Sequence, residues 1–242
     1  MVFFTSRLIY QSYKANEFQP IIIHGSKLGI GKSVYMMKVI LEVLNECREP
    51  IIYDNNSWNL IRQNMWFHPN NFVLDIKKRF EDVNEIVRTM VGGWDDAGLW
   101  LHALEWYDPV VRSINKYFNV VRTNFGGFMF TTPSLEWIVK KMKGLPDVIF
   151  VKIIRTKSST GFPSERNQRR AIYYKPWKSA DGNKHGVNKL GYDDFNVMMP
   201  NNVYEKYKPM RDYYAKISVD IMMDALKDKT DEVKRVVYPH ER

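Results

Sequence analysis

The sequence predicts an α/β protein in which a mainly parallel sheet is covered by helices on both faces. Three observations carry this prediction. Short apolar runs alternate with stretches of helical period from residue 19 to residue 155, the pattern of strands joined by crossover helices. The first run, Ile21-Ile22-Ile23, passes through a glycine-rich stretch directly into a helical pattern. Two later runs stop at polar side chains, Asp95-Asp96 and Thr131-Thr132, as expected where parallel strands end at one ligand-binding edge.

Taken in order, residues 1–18 are mixed and polar and read as a short arm on the sheet. Residues 19–24 form the first strand, and Val34 to Glu46 a helix with apolar positions near helical spacing. Pro50 breaks the chain before a short second strand, Ile51 to Asp54. Ser57 is placed to cap a helix over Trp58 to Arg62. Phe72 to Val87 reads as an amphipathic helix, Thr89 to Trp94 as the third strand, and Leu99 to Tyr117 as a helix bent before Pro109. The fourth strand runs from Gly126 to Thr132. Ser134 caps a helix from Leu135 to Lys143, and Val148 to Ile154 is the fifth strand. The pattern then changes: Arg169 to Trp177, a turn at Asp181-Gly182-Asn183, and Gly186 to Tyr192 suggest a β-hairpin. Pro200 opens a last helix, Val203 to Lys227, before a charged tail. These features divide the chain into a core at 1–155, a basic hairpin extension at 156–198, and a C-terminal helix and tail at 199–242.

A strand, a glycine-rich turn and a helix N-terminus in that order make a phosphate cradle, because loop N–H groups and the positive end of the helix dipole point the same way. The cradle comprises Gly25, Ser26, Lys27, Leu28, Gly29, Ile30, Gly31, Lys32 and Ser33. Lys32 is placed to reach the β- and γ-phosphates, and the Ser33 hydroxyl to ligate Mg²⁺. The Walker A pattern is imperfect, since Ser26 stands where its first glycine falls and Gly25 lies one residue early. Asp95 ends the third strand where a carboxylate would hold the Mg²⁺ shell opposite Ser33, and Asp96 is the candidate to polarise the attacking water. Either carboxylate would also serve as a simple helix cap. Thr131 or Thr132 is placed to sense the γ-phosphate. Arg122 and Arg155, flanking the fourth and fifth strands, are candidate cations for the developing charge, in the same subunit or across an interface.

The net charge of +9 is concentrated: Val151 to Tyr192 holds ten Lys/Arg against Glu165 and Asp181. Such a patch is the electrostatic footprint of nucleic-acid binding. Arg169, Arg170, Lys175 and Lys178 would meet phosphates while Tyr173 and Trp177 stack on bases or sugars. The aromatics would otherwise form the inner face of the hairpin. One cysteine, Cys47, leaves no internal disulfide and no Cys-rich zinc site. No apolar run is long enough to span a membrane, and the N-terminus turns polar too quickly for a signal peptide, so an intracellular, cytoplasmic protein is expected.

Gly-Ile-Gly-Lys-Ser, then Trp-Asp-Asp-Ala-Gly, then Phe-Met-Phe-Thr-Thr-Pro resembles a P-loop NTPase of the additional-strand class, which includes the AAA+ and RecA/FtsK-like ATPases. The wording is similar to small DnaA-like ATPases of viruses and plasmids of thermophilic archaea. The resemblance covers residues 19–155. It implies a three-layer αβα fold with strand order 5-1-4-3-2, ATP and Mg²⁺ as ligands, and oligomers with sites between subunits. The class usually has Glu where Asp96 stands, so the resemblance also implies slow hydrolysis. A second resemblance, of Lys27 to Ser33 with the partition ATPases, is opposed by Leu28 and the Asp pair. The expected function is a DNA-handling ATPase. The alternatives are an FtsK/HerA-type packaging motor, a nucleotide-gated assembly protein with a viral or plasmid protein partner, and a small-molecule kinase with a lid between Arg155 and Arg170.

Overall fold

The computed structural model describes residues 2–49, 53–54, 56–81, 87–156, 167–179 and 183–233. A single seven-stranded sheet runs through it in the order β2-β3-β4-β1-β5-β6-β7. The strands are β1 (Gln19–His24), β2 (Met65–Trp66), β3 (Thr89–Trp94), β4 (Phe125–Thr132), β5 (Ile149–Arg155), β6 (Gln168–Lys178) and β7 (His185–Asn196). The first five are parallel to one another, and β6 and β7 are antiparallel additions beside β5. The parallel strands therefore stand in the expected order 5-1-4-3-2, and the basic hairpin continues the same sheet.

The strand beside β3 is not the expected Ile51 to Asp54. It is the two-residue Met65–Trp66, which pairs with Gly93 and Trp94; Ile51 and Ile52 lie outside the described residues. Trp66 holds this short strand in place. Its indole Nε1–H donates to Asp75 Oδ2 at 2.6 Å, and its ring stacks on Phe128 at 5.9 Å.

The isoleucine run shows why the strands are legible as apolar blocks. Ile21 and Ile23 enter the core on one face and Ile22 the core on the other, all three without solvent exposure. Alternate side chains of a central strand must point to opposite faces, and here both are covered. Helices α1 (Phe4–Lys14), α2 (Lys32–Leu44), α3 (Ser57–Gln63) and α8 (Asn201–Val233) lie with the first core. Helices α4 (Pro69–Glu81), α5 (Ala97–Trp100), α6 (Pro109–Tyr117) and α7 (Lys140–Lys143) lie with the second.

Several helices differ from expectation for local reasons. Residues 4–14 are helical. The Phe3 and Phe4 N–H groups at the start of α1 donate to Glu42 and Asp193, at 2.9 and 2.7 Å, so its cap comes from distant elements. Gly126 and Gly127 of β4 let α1 approach: a Cβ at Gly126 would lie 2.5 Å from the Tyr13 Cβ. Leu99 to Tyr117 is split into α5 and α6, because Asp108 Oδ1 caps a new helix through Val110 and Val111, with Pro109 in its first turn. Leu135 to Lys143 is a 3₁₀ turn, an extended Ile138 bridged to His102, and the four-residue α7. Ser57 lies inside α3, and its hydroxyl bonds Asp54. The helix from Phe72 ends at Glu81, and residues 82–86 lie outside the described residues, as do Asp181, Gly182 and residues 157–166.

Candidate nucleotide site

The loop between β1 and α2 meets the rest of the molecule at two glycines. Gly31 has φ +104°, and a Cβ there would sit 2.5 Å from the Val197 Cγ1, so both its backbone and its surroundings exclude a side chain. At Gly25 a Cβ would lie 2.9 Å from the Ile153 carbonyl of β5. Between them Lys27 and Leu28 are exposed and Ile30 is buried. No side chain caps α2, leaving its first N–H groups and dipole directed into the loop. Lys32, the first helical residue, is buried; burial lowers its pKa, opposed by the charges of Asp96 and Asp95.

Asp95 is the hub of the site and has no exposed surface. Its Oδ1 accepts from Ser33 Oγ at 2.9 Å and from Thr131 Oγ1 at 2.6 Å. Its Oδ2 accepts from the Tyr207 hydroxyl at 3.2 Å. Parallel pairing of β3 with β4, and of β4 with β1, brings these groups to one edge of the sheet. Asp96 follows in a left-handed conformation, φ 50°, with its N–H donating to Thr131 Oγ1 at 2.8 Å. Its side chain is open to the mouth of the site. The adjacent Asp95 charge, with partial withdrawal from water, raises the Asp96 pKa to about 6, against the pull of Lys32 and Arg211.

The two threonines are distinguished by their partners. Thr131 bridges Asp95 and the Asp96 backbone, whereas Thr132 Oγ1 donates to the Ser134 carbonyl at 2.8 Å. Ser33, Asp95 and Thr131 are all oxygen donors, the chemistry that suits Mg²⁺. Among the described residues no cluster of three or more His, Cys, Asp or Glu forms a protein-only metal cage. The donor set therefore fits a Mg²⁺ ion whose shell is completed by phosphate and water.

The candidate cations separate. Arg155 ends β5 on the edge that carries the loop. Arg122 precedes β4 and lies at the opposite edge, which corrects its assignment to the site of its own chain: it lines an 810 Å³ cavity with Gln19 and Asp147, at the starts of β1 and β5. Its carbonyl accepts from Arg88 Nε at 2.9 Å. The nucleic-acid candidates separate too. Arg169 and Tyr173 are buried, a correction to their expected exposure. Arg169 Nε donates to the Ile30 carbonyl of the loop at 3.0 Å, and Tyr173 hydrogen-bonds Tyr35 and Asp193. Arg170 makes a two-pronged ion pair with Asp194 at 2.7 and 2.8 Å, and Lys175 meets Asp147 at 2.8 Å. Trp177 and Lys178 are exposed.

Sequence reasoning missed Tyr207 and Arg211. They stand four residues apart on α8, which returns over the site; Arg211 acts electrostatically on Lys32, Asp96 and Tyr207. Their spacing puts both on one helix face, but no local signal says that this face meets Asp95. His24, at the end of β1, has its pKa lowered to about 4 by burial, with Lys152 and Lys32 adding to the effect.

No protein-family model matches the chain. It is similar to the uncharacterized protein B-251 of Sulfolobus spindle-shape virus 1, 28% identical over 213 residues that span 85% of this chain and 78% of that one. Among solved structures, the N-terminal domain of zonular occludens toxin from Neisseria meningitidis overlaps 77% of this chain and 97% of its own, at 13% identity and a TM-score of 0.38. The genome packaging NTPase B204 of Sulfolobus turreted icosahedral virus 2, in complex with ATP-γS, overlaps 70% and 96%, at 10% identity and a TM-score of 0.35.

Proposed function

We propose that the protein binds ATP with Mg²⁺ and hydrolyses it slowly, coupling that cycle to work on DNA such as replication initiation, remodelling or translocation. The single observation that carries the nucleotide reading is the Asp95 hub. A buried carboxylate held by the hydroxyl that follows the loop lysine, and by a threonine of the neighbouring strand, is an arrangement suited to phosphoryl chemistry. In this reading the loop N–H groups and Lys32 bind phosphates, and Ser33 and Asp95 hold Mg²⁺, which neutralises charge on the phosphate oxygens when bound. Thr131 fixes both aspartates, Asp96 orients the attacking water, and Arg211 and Arg155 supply further positive charge. Asp96 is one methylene shorter than the Glu of the class it resembles, which favours slow turnover. The viral relative supports a viral or plasmid setting.

A second copy of the chain is the proposed cover for the mouth of the site. A cleft of 640 Å³ there is lined by Leu28, Asp96, Leu99, Leu104 and Trp137, and the four apolar side chains are strongly exposed, Leu28 to 84%. Among the described residues no helix is long and apolar enough to cross a membrane.

The test is ATP turnover by the purified protein, with and without DNA, beside Lys32→Ala. The expected result is slow turnover, raised by DNA and reduced by about 10²-fold or more in the variant. Nucleotide binding without turnover, and without any effect of DNA, would replace this reading with that of a nucleotide-gated assembly protein.

A further inference from the structure

We infer that the free end of the β6–β7 hairpin is a contact for duplex DNA, a two-stranded ribbon whose lysines meet phosphates on either side of a groove. This rests on the proposed action on DNA and goes beyond it by assigning the surface and the form of the DNA. The pairing of β5 with β6 reaches Phe150 and Tyr174 and stops, while β6 and β7 remain paired from Lys175↔Asn188 to Lys178↔His185. The two-stranded ribbon therefore continues for about 13 Å beyond its pairing with β5, from the rise of four strand residues. Its end is closed by Ser179 N–H donating to the Lys184 carbonyl at 2.9 Å and Lys184 N–H donating to Ser179 Oγ at 3.0 Å.

Residues 175–189 hold Lys175, Lys178, Lys184 and Lys189 against one acid, Asp181. Lys175 is engaged by Asp147, whereas Lys178, Lys184 and Lys189 are exposed. That charge distribution complements a polyanion.

The shape of the ribbon and the placement of its aromatics bear on the nucleic-acid form. A stacking platform for single strands needs a free ring face. The Trp177 indole lies across Gly186, where a Cβ would be 3.0 Å from its ring atoms. The Tyr192 ring carries the Arg170 guanidinium at 3.9 Å and the Lys189 ammonium at 5.6 Å. One face of each ring is thus taken up within the hairpin, and the exposed lysines, Lys178 and Lys184 foremost, are the main charged contacts the ribbon offers. A two-stranded ribbon fits the major groove of B-form DNA, and the deep, narrow major groove of duplex RNA does not admit it. At its other end the same hairpin touches the nucleotide loop, through Arg169 to the Ile30 carbonyl and Val197 against Gly31. A load at the ribbon thus has a path along both strands to the residues that touch the loop.

The experiment measures binding of the full chain to a labelled random-sequence DNA duplex, to one of its strands, and to the matching RNA duplex, across a salt series. K178E/K184E/K189E is compared with K77E/K78E on α4 as a charge control. The wild type is expected to prefer the DNA duplex by about tenfold or more. The ribbon variant is expected to lose that binding and to flatten the log K against log salt slope by about 2 to 3, with the control unaffected. Binding of a fluorescent ATP analogue is read in parallel and is expected to be equal in all three proteins. Should the glutamate variant fail to fold, K178Q/K184Q/K189Q is read in its place. Undiminished duplex binding by the ribbon variant, or preference for the single DNA strand, overturns the inference and leaves the DNA-handling ATPase in place, whereas preference for RNA overturns the inference and the DNA part of the proposed function. A wild type that binds the ATP analogue but no DNA overturns both the ribbon and the DNA part of the proposed function.

Discussion

The two ends of the β6–β7 hairpin carry the same residue types in opposite surroundings. At the root, Arg169 is 6% exposed and donates to the Ile30 carbonyl at 3.0 Å and the Gln168 carbonyl at 2.8 Å. Tyr173 is 1% exposed, donates to Asp193 at 2.5 Å and shares a hydrogen bond with Tyr35 at 3.0 Å. At the tip, Lys178, Lys184, Lys189 and Trp177 are exposed. The root lies against α1 and α2, and the tip extends beyond the first residues of β5. A cation or a ring in the first setting holds the fold together. In the second setting the cations remain available to a ligand. Clustering of charge in the sequence brings the two settings together under one expectation, and burial separates them.

The most severe test of that separation is Arg169→Ala. It removes buried, charge-assisted hydrogen bonds and leaves the Ile30 carbonyl short of a donor, a loss of about 2–3 kcal/mol. The loop that Arg169 steadies also binds phosphate in the proposed function, so ATP-analogue affinity is expected to fall with stability. Denaturant melts and nucleotide titration of the one variant check both. An unchanged melt would show that the root is as dispensable as the tip.

Tyr173→Phe is a smaller change at the same end. It deletes the hydroxyl between Tyr35 and Asp193, while Asp193 keeps its bond from the Phe4 N–H, so about 1 kcal/mol is expected at neutral pH. The variant also has a pH signature. Burial pushes the Tyr35 and Tyr173 phenols well above their ordinary value of 10.0. Above pH 10 the unfolded chain releases protons that these phenols retain in the fold, so stability is complete below pH 10 and falls as pH rises. Each such phenol contributes about 1.4 kcal/mol per pH unit to that fall. Tyr173→Phe is expected to shallow the alkaline slope by about one phenol, as measured by urea melts between about pH 10 and 11.

The same distinction explains what was legible in the sequence. Strands β1, β3, β4 and β5 are readable because a central parallel strand is buried on both faces and ends at the site. At that edge Asp95 and Thr131, at the ends of β3 and β4, are linked by hydrogen bonds to each other and to Ser33 at the start of α2. Strand β2 is two residues long, too short to leave an apolar run, and depends on Trp66 lying against Phe128. Helix α1 buries Thr5 and Ser6, which look like surface residues until Tyr35 and Glu42 supply their partners. The return of Tyr207 to Asp95 joins residues 112 positions apart, and no local pattern encodes it. Arg122 is different, because topology alone places a residue that precedes a parallel strand at the edge away from the site.

The smallest expected effect on stability is at the tip. Lys178 is exposed at the last β6–β7 pair, opposite His185. Lys178→Ala is therefore expected to change stability by no more than about 0.5 kcal/mol, as exposed substitutions do when no cap, cavity or buried bond is involved. Its binding consequence follows a different rule. One lost phosphate contact lowers the salt slope by about 0.9 and weakens duplex binding by a modest factor at every sequence, since phosphate contacts carry no base information. A melt and a salt titration of this single variant place it on one side of the comparison or the other. A loss of stability as large as that of Tyr173→Phe would make Lys178 another root residue. A stable variant with a shallower salt slope would make it a residue that has no task in the fold and one task on the ligand.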